Sequence, residues 1–254
     1  MAKKSSKSDR QAVIDEIRKK QKGAEKKRGY AIVGVCALIA VLIVAAAAYR
    51  PIRNWWDLRK YEDLKLSSIG GPASACGEVT TKPAEGSSDH VPQPQQVKYT
   101  TAPAAFGQHW NEQGVAPAPF NEKFYTEKDR PELESLVHNL EHGYTILWYD
   151  EDAADDSDTM NKVEAIADKF RSDSDNLRFK FIAAPWTSED EEESGKFPEG
   201  QHIAFSHWSV GGAGESDATK QVGAFQYCSE PSGAALEKFM LDYPYTDSPE
   251  PDAM

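Results

Sequence analysis

The chain has 254 residues and a formal net charge of −12 at pH 7. So acidic a chain repels the phosphate backbone, and we therefore expect no nucleic-acid partner. The charge is unevenly distributed: residues 1–28 carry eleven Lys or Arg against four acids, a balance of +7, which leaves −19 on residues 29–254.

An apolar run without a single charge occupies residues 30–49, and Tyr30 and Tyr49 bound it. A helix needs roughly 20 apolar residues to cross a bilayer core of about 30 Å, and aromatic residues favour the interfaces. We predict a single transmembrane helix over residues 29–50. The alternative is a cleaved signal peptide, since residues 45–48 are all alanine. The run exceeds the usual apolar length of about 7–15 residues for a signal peptide, which favours the anchor.

The basic tail, residues 1–28, predicts the orientation. Positive charge next to a membrane span tends to stay in the cytoplasm. We therefore expect a single-pass protein of the plasma membrane, with its N-terminus in the cytoplasm and the remainder outside the cytoplasm. The lysines of the tail could also bind anionic lipid headgroups, although we favour a role in topology alone.

Residues 51–75 form the predicted juxtamembrane segment. Its apolar residues recur at helical spacing and include the adjacent pair Trp55 and Trp56. Two tryptophans beside a bilayer predict an interfacial helix in contact with membrane lipid; a partner membrane protein could use the same face. The segment 67–72, with two glycines and a proline, ends the helix.

Three cysteines occur in the chain, and Cys36 lies within the apolar run. Cys76 and Cys228 are the pair outside it. An even pair in an oxidising compartment predicts a structural disulfide. Because no Cys-x-x-Cys is present, we expect no redox chemistry.

The region 76–245 is long enough for one hydrophobic core, and residues 246–254 form a C-terminal tail. Residues 77–130 are rich in Pro, Gly and Thr, which indicates loops and short extended pieces. We predict that a helix starts at Asp129 as N-cap and ends at Gly143. Its apolar stripe recurs at i, i+3, i+4 and i+7 and comprises Leu133, Leu136, Val137 and Leu140.

Further apolar periodicities predict strands at 144–149, 179–184 and 202–208, and helices at about 157–172 and 232–242. This order predicts an α+β domain in which helices pack on a small mixed β-sheet. The first two strands should be parallel, because a helix connects them. A thioredoxin-like arrangement fits the order but predicts no activity by itself.

The segment Val-His-Asn-Leu-Glu-His-Gly at 137–143 carries the most interesting chemistry. His138 and His142 are one helical turn apart on the same side and could share a copper or zinc ion. His109 is the candidate third ligand. The acid precedes the second histidine directly, so the base of an H-E-x-x-H protease is out of position. The alternative is structural: histidines at a helix end can bind carbonyls or stack on Trp110 or Trp148.

Other candidate sites are weaker. The acidic runs 150–158 and 189–193 lack EF-hand spacing, so we expect solvated loops. Trp186 and Trp208 are expected in core or rim packing rather than in a ligand groove. No nucleophile elbow accompanies Ser206 and His207, so we do not expect serine catalysis.

The segment 137–149 resembles the signature of an uncharacterised bacterial family, domain of unknown function 3105. Segments 103–110, 204–208 and 225–228 and the Pro-Glu at 249–250 add to the resemblance, which covers roughly residues 75–252. The anchor and the cysteine pair are similar to those of actinobacterial members. The resemblance implies that His109, His138 and His142 fall on the family's histidine positions, and it implies no reaction.

Two functions fit these observations. The first is a non-catalytic accessory subunit of an envelope membrane complex; the analogy with actinobacterial single-span proteins points to the respiratory cytochrome bcc-aa3 assembly. The second is an extracytoplasmic copper or zinc module built on the histidine cluster.

Overall fold

The computed structural model describes residues 7–171 and 176–254, without the side chains of residues 7–9, 23–24, 50–51 and 54–55. The chain divides into two units, Met1–Trp56 and Asp57–Met254.

Helix α1, Lys7–Arg59, contains one stretch long and apolar enough to cross a membrane, with a mean hydropathy of 2.9. Its large apolar side chains between Ile32 and Val44 are 50–66% exposed. Exposing these side chains to water costs free energy, whereas exposing them to the hydrocarbon core of a membrane does not. The helix continues past the apolar run and ends at Arg59. Trp56 is exposed, and the side chain of Trp55 lies outside the described part.

Seven strands occur within the described residues: β1 (Thr80–Pro83), β2 (His90–Val91), β3 (His109–Trp110), β4 (Thr145–Tyr149), β5 (Phe181–Pro185), β6 (Ile203–Ser209) and β7 (Val222–Cys228). Five of them form a mixed sheet in the order β1-β7-β6-β4-β5. Strands β4 and β5 are parallel, as predicted, and the other neighbours are antiparallel. The α+β prediction is confirmed.

Five further helices accompany the strands in the described chain: α2 (Leu133–Glu141), α3 (Glu151–Asp155), α4 (Ser157–Asp168), α5 (Ser188–Ser194) and α6 (Gly233–Asp242). Alternate residues of a strand point to opposite faces of its sheet. Ile146 and Trp148 of β4 therefore join the core cluster that contains α2, whereas Leu147 and Tyr149 join the one that contains α4 and α6. Because both faces are covered, β4 is buried along its whole length, and four of its five residues are large hydrophobic or aromatic ones.

Three sequence predictions were wrong in detail. Helix α2 begins after Glu132, and Asp129 instead accepts hydrogen bonds from Thr126 in a turn. The acidic run 150–158 forms α3 and the start of α4, where Asp150 and Asp156 are N-caps. The run 189–193 lies in α5. Acids at these positions stabilise helices because they cap free N–H groups and complement the helix dipole.

The loop-rich segment 77–130 covers the polar side of α2. Glu134 accepts a hydrogen bond from the Val97 backbone, and Ser135 donates to the Val115 carbonyl. Asn139, fully buried, accepts from Ala118 N at 2.9 Å and donates to Ala118 O at 3.0 Å. The predicted amphipathic helix is thus buried on every side, with hydrogen bonds replacing water on its polar face.

The predicted disulfide between Cys76 and Cys228 is present, and it joins the segment before β1 to the end of β7. Cys36 is the free cysteine and lies on α1.

Candidate metal centre

Two short strands bring the first pair of histidines together. Strands β2 and β3 are parallel, and their register places His90 opposite His109. The ring centroids lie 4.8 Å apart. His109 is completely buried, whereas the side chain of His90 is 43% exposed. One edge of the pair therefore faces solvent and the other faces the core.

Helix α2 supplies the remaining groups of the cluster. His138 and Glu141 are three residues apart, and this spacing puts both on one side of the helix. Strand β3 packs against α2, so the ring of His138 lies 4.9 Å from that of His109 and 5.3 Å from that of His90. One ligand atom from each of His90, His109, His138 and Glu141 lies within 4.8 Å of the other three.

The distances between these atoms suit a metal ion. Nε2 of His109 lies 2.9 Å from Oε2 of Glu141, and Nε2 of His90 lies 3.7 Å from the same oxygen. Zinc bound tetrahedrally at its usual bond lengths of about 2.0–2.2 Å separates its ligand atoms by roughly 3.4 Å. The two observed distances lie on either side of this value, and all separations among the four ligand atoms are below 4.8 Å.

Backbone carbonyls orient two of the rings. Nδ1 of His109 donates to Gly107 O at 2.8 Å, and Nδ1 of His138 donates to Trp110 O at 2.6 Å. A carbonyl can only accept, so each Nδ1 carries the proton and Nε2 is the nitrogen left to bind a metal. Metal-ligating histidines are commonly held by such a hydrogen bond on the other ring nitrogen.

Burial sets the protonation of the site. It lowers the pKa of His138 to about 4, with help from the neighbouring His142 and His109. Burial raises the pKa of Glu141, but the hydrogen bond and the charge of His109 outweigh it and hold that pKa below its usual value. Neutral imidazole and ionised carboxylate are the forms in which these groups bind metals.

The structure places two of the three sequence-predicted residues in the four-residue cluster. His109 and His138 lie in the four-residue cluster. His142, the helix C-cap, stands beside it with its ring 4.4 Å from that of His138, and it groups with Glu141 and Glu250. Sequence reasoning missed His90 and Glu141 as members of this cluster. The i, i+3 spacing from His138 was a usable signal for Glu141, whereas the position of His90 depends on the pairing of β2 with β3.

Two histidines, His207 and His202, lie outside the cluster. Both ring nitrogens of the buried His207 lie near backbone carbonyls, that of Tyr144 at 3.0 Å and that of Asp247 at 2.8 Å, and the neutral ring can donate to one of them. His202 lies 2.9 Å from Asp150 and 3.8 Å from the exposed Asp152, and these three residues form a separate group whose spacing could also hold a metal ion. Trp186 and Trp208 are buried in the core.

The four-residue cluster lies within a part of the chain that matches a known protein family. Residues 90–253 match the model of the family described as Protein of unknown function (DUF3105). The chain belongs to this family. No curated protein and no solved structure matches it. The matched region of this DUF3105 chain contains every residue of the cluster, from His90 to Glu141, together with Glu250.

Proposed function

We propose that this DUF3105 protein is a metal-binding module that holds zinc or copper(II) on His90, His109, His138 and Glu141. The observation that carries the proposal is the convergence of three imidazoles and one carboxylate, two of whose rings are oriented by backbone carbonyls. Imidazole and carboxylate donors suit Zn²⁺ and Cu²⁺, whereas Cu(I) prefers the sulfur ligands that this cluster lacks.

The environment of His109 supports the proposal further. Its Nδ1 faces the carbonyl of Gly107 and its Nε2 faces the carboxylate of Glu141, and both partners are acceptors. A cation must therefore lie between Nε2 and the carboxylate, either a proton or a metal ion. With two more imidazoles at the same point, a metal ion satisfies more lone pairs than one proton can.

The module would work at the outer face of the membrane, held there by α1. The charge difference between residues 1–28 and the remainder supports this orientation. The Cys76–Cys228 disulfide agrees with an oxidising compartment. Protease added to intact cells with a permeable outer envelope should cleave the C-terminal unit; protection there together with cleavage after lysis would contradict the orientation.

Elemental analysis of the full-length protein, purified in mild detergent without a histidine tag, tests the metal site. We expect bound zinc or copper in the wild type and its loss in His109→Asn and His138→Asn. The matched control His202→Asn removes a histidine outside the cluster and should keep the metal. Less than roughly a tenth of an ion per chain, in wild type reloaded with Zn²⁺ or Cu²⁺, would contradict the proposal.

A further inference from the structure

A second group of ligands adjoins the first. One ligand atom from each of Glu141, His142 and Glu250 lies within 4.8 Å of the other two. His142 follows Glu141 directly and stands one turn beyond His138, so Glu141 and His142 flank His138 on the helix end. Glu141 is therefore common to both groups.

The buried ring of His142 has a backbone partner at Met254 but is not fully satisfied. It is 5% exposed, and its Nδ1 has no hydrogen-bond partner among the residues that the structure describes. Its Nε2 lies 3.5 Å from Oε2 of Glu250. That distance is long for a hydrogen bond, but it equals the roughly 3.4 Å that separates two ligands of one tetrahedral zinc ion.

The fold holds the two parts of this group in place. The backbone N–H of Glu250 donates to the Glu141 carbonyl at 2.9 Å. The buried ammonium of Lys180 donates to the carbonyls of His142, Pro251 and Ala253 at 2.6–2.7 Å. The C-terminal tail is thereby fastened to the end of α2, and Glu250 is fixed beside His142 while its own side chain is half exposed. The second group is thus a built site with an opening to solvent.

We propose that the centre is binuclear: a second divalent ion binds Glu141, His142 and Glu250, and the carboxylate of Glu141 bridges it to the first ion. This inference rests on the proposed function, because the shared carboxylate belongs to the first site. Three protein ligands leave the second ion with an open coordination position, in contrast to the four that surround the first. The second ion is therefore the one that an external ligand can reach.

Metal counting tests the proposal. Full-length protein in mild detergent is stripped with chelator, reloaded with Zn²⁺ and passed through a desalting column. All variants carry His202→Asn, so that the group of Asp150, Asp152 and His202 cannot add to the count. We expect about two ions per chain in this background, about one after His142→Asn or Glu250→Gln, and still about two in the control Glu199→Gln. Because Glu250 is half exposed, its variant keeps the fold, which tryptophan fluorescence checks.

The outcomes separate the two proposals. One ion per chain, unchanged by His142→Asn and lost in His109→Asn, would overturn the second ion and leave the proposed function intact. No ion at all would remove both. Reloading with Cu²⁺ tests the bridge: two ions that share Glu141 lie close together, so the EPR spectrum should show the half-field line of a coupled pair, and His142→Asn should abolish that line. A spectrum of isolated ions at two bound copper ions per chain would overturn the bridge.

Discussion

Acid should destabilise the metal-free protein through two buried rings, His138 and His142. Burial is the main cause that lowers the pKa of each to about 4 from an ordinary value of about 6.5. Between these two values the unfolded chain binds more protons than the folded chain. The free energy of unfolding therefore falls as the pH falls through this window, and the full stability is present only above about pH 6.5.

The size of the effect follows from proton linkage. Between about pH 7 and about pH 5 the unfolded imidazole becomes protonated while the folded one stays mostly neutral, which costs about 2 kcal/mol for each ring. The charge of His142, whose ring lies 4.4 Å away, contributes to the lowering of the His138 pKa, so the two rings do not titrate independently. The pair should therefore contribute between about 2 and 4 kcal/mol rather than a strict sum.

Urea denaturation of the chelator-treated protein at both pH values measures this loss, with the fluorescence of the buried Trp148 and Trp186 as the signal. We expect His138→Gln and His142→Gln each to reduce the difference between the two pH values by about 1–2 kcal/mol, because glutamine does not titrate. If both cluster variants lost as much stability as the wild type between the two pH values, the linkage argument would be wrong.

Three further predictions concern the fold and the setting of the site. Replacing both Cys76 and Cys228 by Ala frees a loop with a sequence separation of 152, for which chain entropy gives a loss of at most about 5 kcal/mol; an unchanged urea midpoint would refute the disulfide's role. Asn139→Ala leaves the N–H and carbonyl of Ala118 unpaired and should cost about 2–4 kcal/mol in the same assay, whereas a cost below about 0.5 kcal/mol would mean that water replaces the amide. The accessory-subunit prediction expects affinity purification in mild detergent to recover a stoichiometric membrane partner, and repeated recovery of the chain alone would contradict it.

Local sequence predicted the elements with strong periodicity. The apolar run of β4 and the last helix were found close to their predicted bounds, and the apolar stripe of α2 was found although its N-cap is three residues later than predicted. Strand β7 was missed because Gly223, Ala224 and Gln226 have weak strand propensity. It forms because β6 and β1 pair with it on both sides, and such pairing outweighs intrinsic preference.

The residues of the candidate metal centre could likewise be predicted only in part from the sequence. The helical spacing of His138 and His142 was visible along the chain, because both lie on one short element. That Glu141, rather than His142, lies beside His90 and His109 depends on the direction from which β3 approaches α2. A helix offers several side chains to its neighbour, and the neighbour's position decides which of them are used.

The sequence by itself determined the long apolar helix, the charge difference across it, the mixed sheet with its helices, and the cysteine pair, because each depends on hydrophobic periodicity, charge or residue count. Tertiary structure alone decided that His90 lies opposite His109 and that Glu250 reaches His142. Strand register and the docking of the C-terminal tail join residues that are far apart in the chain, and no local pattern encodes those contacts.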